Sequence, residues 1–96
     1  MTKEIENISK AISPVFRKYG IHSASLVGSV ARGEQTDESD FDIVIEIEKP
    51  ISLLTFASIK IELEDILQRK VDLIERSAIK PLLKKQLLKD EVILSL

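Results

Sequence analysis

The sequence predicts an α/β fold in which about four helices pack on a small three-stranded sheet. Three observations predict it. Apolar residues recur at helical spacing in three separate segments. Short β-branched runs lie between those segments. The two patterns alternate along the chain, which is the order of a layered α/β domain. With 96 residues, 44% of them hydrophobic but only 4% aromatic, the chain is expected to form one domain, 1–96, around an aliphatic core of Ile, Leu and Val.

Each element has its own signal. From Ile5 onward, Ile8, Ile12, Val15, Phe16 and Tyr19 stay on one face at about 100° per residue, which makes an amphipathic first helix. Pro14, preceded by Ser13, predicts either a kink or a second short helix capped by Ser13, and Gly20 ends the element. His22 to Val27 reads as a short strand broken by Gly28 and Ser29, and Ser29 to Arg32 can begin a helix at that turn. Phe41 to Ile47 is the clearest strand, because Ile43, Ile45 and Ile47 alternate with Asp42, Val44 and Glu46. Pro50 and Ser52 introduce a long helix to about Gln68, and Val71 to Ile74 is a third strand. Ser77 to Asp90 holds a last helix with Pro81 near its start and Ile79, Leu82, Leu83 and Leu87 on its apolar side.

The middle helix carries two apolar stripes. Phe56, Ile59, Leu63, Ile66 and Leu67 form one; Leu53, Leu54, Ala57 and Ile61 form another, roughly 140° away around the helix. One stripe is expected on the sheet. The other meets a neighbouring helix or is an exposed patch for homo- or hetero-oligomer contact.

The bulk charge narrows the partners. A net charge of −2 gives no long-range pull towards nucleic acid, so no DNA binding is expected. Without cysteine there is no thiolate metal site, and without a signal peptide or a long apolar run the expected location is the cytoplasm, with no membrane contact. His22 is the only histidine and has no second ligand nearby in sequence, so packing or surface exposure is its expected role. Arg76, Lys80, Lys84, Lys85 and Lys89 make the last helix basic, which reads as a solvated face or as a contact for an acidic partner.

The chemistry lies in GSVARGEQTDESDFDIVIEI, Gly28 to Ile47. Strand residues two apart face the same side at roughly 6.5–7 Å, so Asp40 and Asp42 converge while Phe41 turns to the core. Two carboxylates so placed repel unless a cation lies between them, and a hard divalent ion such as Mg²⁺ takes oxygen ligands and shares its remaining positions with phosphates. Upstream, Gly28 and Ser29 form a strand-to-helix turn suited to receiving a phosphate oxygen. Arg32 either neutralises phosphate charge or pins the loop onto Glu34 or Asp37.

A glycine and serine, ten further residues, then D-x-D leading into an apolar strand resembles the DNA polymerase β-like nucleotidyltransferase superfamily. The fuller string LVGSVARGEQTDESDFDIVIEI is similar to the minimal nucleotidyltransferase (MNT) subfamily, with its G-S-x-A-R-G…S-D-x-D pattern. The likeness runs through nearly the whole chain, including V-D-L and a last helix containing K-P. It implies a nucleotidyltransferase fold in which Asp72 is the third catalytic carboxylate, an acid otherwise costly to bury in an apolar strand. It further implies that Asp40, Asp42 and Asp72 hold Mg²⁺, as two ions, and that Gly28, Ser29 and Arg32 contact the triphosphate of ATP. The implied partner is a HEPN-domain ribonuclease toxin, neutralised by transfer of AMP to a tyrosine, with this chain as the antitoxin of a toxin–antitoxin pair. Two rival readings are a non-catalytic module that masks its partner, and nucleotidyl transfer to a small molecule or an RNA end.

Overall fold

The computed structural model describes residues 2–34, 36 and 38–96. The first helix, α1, runs unbroken from Lys3 to Lys18, capped by the Thr2 hydroxyl, which accepts from the Ile5 N–H at 3.2 Å. No second helix starts at Pro14. The ring leaves the Lys10 carbonyl without its usual helical donor, and the Ser13 hydroxyl donates to that carbonyl instead, at 3.4 Å. Gly20 then takes a φ of +72°, which lets Ile21 N–H close back on the Phe16 carbonyl at 2.8 Å and stops the helix.

Strand β1 (Ser23–Val27) leads directly into the short helix α2 (Gly28–Ala31), and β2 (Phe41–Glu46) follows the polar loop. Helix α3 (Leu53–Leu67) crosses over to β3 (Val71–Glu75). A 3-10 turn, Arg76–Ala78, precedes α4 (Pro81–Leu87), and the chain returns through β4 (Val92–Ile93). The strand order is β3-β2-β1-β4, with β2 and β3 parallel and the other pairs antiparallel.

The sheet thus has four strands where the sequence predicts three. Two residues of β4 pair with Ser25 and Leu26, and Leu94 extends the contact by donating to the Ala24 carbonyl at 2.9 Å. So short a strand has no period of its own, and only its partner defines it.

Strand alternation divides the structure into two unequal layers. On one face Ala24, Leu26, Ile43, Ile45, Val71 and Leu73 meet Ile12, Phe16, Ile59 and Leu63 from α1 and α3, forming the main aliphatic core. The other face carries a smaller cluster of Val27, Val44 and Ile79, with Ile74, Leu87 and Leu88 against it. Lys18 and Tyr19 both donate to Glu62, which ties α1 to α3 over the main core.

Three expectations for the helices change. The last helix is shorter than Ser77 to Asp90, because a 3-10 turn and Pro81 delay it and Leu88 caps it. Its expected apolar side is split: Ile79 and Leu87 pack inward, whereas Leu82 is 95% and Leu83 59% exposed. On α3, Ile59 and Leu63 bury as predicted while Ile66 faces outward, and the second stripe is open to solvent, with Leu53 83%, Leu54 82% and Ile61 56% exposed. No helix among the described residues is long and apolar enough to cross a membrane.

Candidate functional site

The site forms where the second sheet face meets the loop after β1. Asp42 is the second residue of β2, and its register partners are Val27 on β1 and Asp72 on β3. Residues paired across parallel strands share a face, so Asp42 and Asp72 stand side by side about 4.8 Å apart between strands. The local fold enforces that register. Gln68, in the left-handed conformation with φ 53°, turns the chain out of α3; Glu64 then accepts from the Val71 N–H at 2.9 Å, and Phe41 N–H donates to the Lys70 carbonyl at 2.9 Å.

Asp40 lies just ahead of β2 and is exposed. The loop before it is held by a small polar turn, with the Thr36 N–H donating to Ser39 Oγ at 2.8 Å and the Ser39 N–H to the Thr36 carbonyl at 3.1 Å. Three carboxylates therefore gather around the start of β2. Burial pushes the Asp42 carboxyl above its usual range, the negative charges of Asp72 and then Asp40 push it the same way, and Arg32 opposes them.

Gly28 sits against this cluster. Its φ is +74°, and a Cβ added there would lie 2.4 Å from Asp42 Oδ2. A side chain at position 28 would therefore displace the carboxylate as well as strain the backbone. Ser29 follows, half-buried, and its hydroxyl has no hydrogen-bond partner among the described residues.

Arg32 caps α2, with Nε donating to Glu34 Oε2 at 3.0 Å and Nη1 3.9 Å from Asp90 Oδ2. Of the two loop acids read from the sequence, Glu34 is engaged and Asp37 lies outside the described residues. Asp90 was not foreseen. It reaches Arg32 only because β4 brings the end of the α4 segment back beside β1.

Arg76 also departs from expectation, since it does not join the solvated basic face. Its Nη2 donates to Glu91 and lies 3.4 Å from Ser25 Oγ, while Glu46 Oε1 stands 3.1 Å from Nε, close enough for ion pairing but off the N–H axis. This clamp joins β1, β2 and the turn into β4 below the acids. His22 is exposed at the far end of the sheet and takes no part.

In short, Gly28, Asp42 and Asp72 are in direct juxtaposition, Asp40 and Arg32 act on Asp42 through charge, and Ser29 borders the group. Residues 5–94 match the family model described as "Nucleotidyltransferase domain". A Methanocaldococcus jannaschii protein named as a candidate protein adenylyltransferase is 41% identical over 88 residues, 92% of this chain and 95% of its own length. The protein adenylyltransferase MntA of Thermococcus cleftensis is 35% identical over 91 residues, 94% of this chain and 92% of its own length. Among solved structures, a complex described as tri-AMPylated Shewanella oneidensis HEPN toxin with MNT antitoxin shares the fold, with a TM-score of 0.72 at 16% identity over 93% of this chain and 70% of the matched chain. On the family match and these identities, the chain belongs to the nucleotidyltransferase-domain family.

Proposed function

We propose that this chain transfers AMP from ATP to a hydroxyl, a tyrosine, of a HEPN-type toxin, acting in the cytoplasm as the antitoxin of the pair. The observation that carries this reading is the in-register pair of Asp42 and Asp72, set against a glycine with no room for a side chain. Family membership supports nucleotidyl transfer. The names of the relatives support a protein as acceptor, and the Shewanella complex supports a HEPN toxin as that protein.

Asp40, Asp42 and Asp72 are the residues that would hold Mg²⁺. The donor set fits: all are carboxylates, and although burial is the larger cause of the raised Asp42 pKa, the repulsion from Asp72 and Asp40 that adds to it is what a hard dication relieves. Among the described residues no three such side chains are placed to hold a metal ion by themselves, and Mg²⁺ ordinarily completes its shell with phosphate oxygens and water. When bound, it supplies Lewis-acid polarisation of the α-phosphate and compensates the charge of the departing pyrophosphate.

The chain's own groups do the rest. Gly28 keeps the approach to Asp42 open, and the Ser29 hydroxyl is free to donate to a phosphate oxygen. Arg32 exchanges an exposed carboxylate partner, Glu34, for phosphate charge at little cost, since exposed ion pairs are worth under about 1 kcal/mol. Asp72 lies on the edge strand and is exposed, so it faces an incoming acceptor and takes its proton. The acceptor oxygen bonds to the α-phosphorus as the bond to the β-phosphate oxygen breaks, and pyrophosphate leaves.

The test is α-labelled ATP with Mg²⁺ and a HEPN-domain protein as acceptor. Label is expected on a partner tyrosine and is lost when that residue becomes Phe. A stable complex without label would replace this reading with masking, and label incorporated without the partner would point to a small molecule or RNA end.

A further inference from the structure

Resting on that reading, we propose that the exposed face of α4 is the docking surface for the acceptor protein, and that it fits an apolar patch rimmed by carboxylates. The acids occupy the sheet face away from α1 and α3. Any macromolecule that brings a side-chain hydroxyl to Asp42 and Asp72 must approach from that side, and α4 is the helix that packs there.

The placement is specific. Leu87 and Leu88 at the inner end of α4 pack with Val27 and Val44. Val27 is the register partner of Asp42, and Val44 is two residues beyond Asp42 on the same face, so the end of α4 lies on the acid-bearing face of the sheet. Directly after α4, Asp90 reaches Arg32, which brings the helix end up to the phosphate side of the site.

The outer face of α4 has the composition of an interface. Leu82 is almost fully exposed and lines a surface groove of about 380 Å³ together with Lys85, Gln86 and Lys89. From Ser77 to Lys89 there are four lysines, all exposed, and no acid, within a chain whose net charge is −2. Two leucines held in water among cations of one sign favour an occupant that covers the leucines and supplies carboxylates. The other open patch, Leu53, Leu54 and Ile61, belongs to α3 and lies behind the sheet. A partner seated there would be separated from the acids by the core.

The experiment compares Leu82→Asp/Leu83→Asp and Lys84→Glu/Lys85→Glu with Leu54→Asp/Ile61→Asp, using label transfer to the HEPN-domain acceptor across a range of its concentration. Circular dichroism confirms folding, and binding of a fluorescent ATP analogue reports on the nucleotide site. The expected result is a KM for the partner at least tenfold higher in both α4 variants, with kcat and nucleotide affinity within twofold of the parent. The α3 variant is expected to match the parent. Unchanged KM in the α4 variants, or a rise confined to the α3 variant, overturns the proposal.

If the parent chain transfers no label, the adenylylation reading fails separately, and sedimentation of the mixture decides docking. A complex lost only in the α4 variants retains the surface; equal binding by all variants, or no complex at all, overturns it. Sedimentation of the chain alone tests a second copy as occupant: self-association abolished by the α4 substitutions would also overturn the proposal.

Discussion

The two faces of the sheet are built from alternate residues of the same strands, yet they answer to opposite demands. On the helix side, Leu26, Ile43, Ile45 and Val71 are fully buried, and the layer is continuous from α1 to α3. On the other side Asp42 replaces an aliphatic residue beside Val27, Asp72 lies next to it, and a three-residue cluster carries the packing. Stability is concentrated on one face, which frees the other to hold groups that repel each other. A period of two keeps the functions apart within strands of five or six residues.

The sharpest way to test that division is Asp42→Asn. It is expected to lower label transfer by at least about 10³-fold, roughly 4 kcal/mol of transition-state stabilisation, while the thermal transition is retained. Transfer at the parent rate would remove Asp42 from the chemistry. The mirror experiment is Ile43→Ala, one residue along and on the opposite face. Truncating a fully buried Ile should cost about 2–5 kcal/mol in urea unfolding, with the nucleotide site of the folded fraction still competent. A loss of activity exceeding the loss of folded protein would show that the faces are not independent.

Gly28→Ala probes the seam between them. The positive φ and the 2.4 Å approach to Asp42 Oδ2 predict about 1–3 kcal/mol of strain and a 10- to 100-fold fall in transfer, because the carboxylate must move. The smallest effect is again at Asp42, in Mg²⁺-free buffer. Its raised folded pKa means that the native state binds more protons than the unfolded state between the unperturbed value of 3.8 and the folded one, so stability falls as pH rises through that window and stays lower at neutral pH. Asp42→Asn should therefore stabilise the metal-free protein slightly at neutral pH, read as a small rise in Tm. The gain should vanish below about pH 4. A destabilised variant at pH 7 would mean that the carboxylate is favourably paired.

These contrasts also explain what could be read from the sequence. The acid site was legible because its parts are local: Gly28 and Ser29 break a strand, and the alternation from Asp40 through Ile47 assigns each residue a face. Asp72 needed only the same rule on a second strand, plus the resemblance that gave it a role. The structure brings Asp42 and Asp72 into the register that this requires. What escaped depends on contacts distant in sequence. The fourth strand exists only as the partner of Ser25 and Leu26. Asp90 meets Arg32 only after the chain has turned back, and Arg76, one basic residue among several in a helical pattern, is drawn inward by Glu46, Glu91 and Ser25. Leu82 and Leu83 followed the periodicity of a core face, but Pro81 and the preceding 3-10 turn set the helix so that only Ile79, Leu87 and Leu88 reach the sheet.

Tyr19 gives the brace between α1 and α3 a consequence of another kind. It is the only tyrosine in the chain, and its hydroxyl proton is committed to Glu62. That hydrogen bond, followed by burial and the Glu62 charge, raises the phenol's pKa above its ordinary range and so disfavours the phenolate. It belongs to the helix layer, with the sheet between it and the acids. A hydroxyl committed to Glu62 and set behind the sheet from the acids is thus kept to bracing the two helices, apart from the site that Asp42 and Asp72 form.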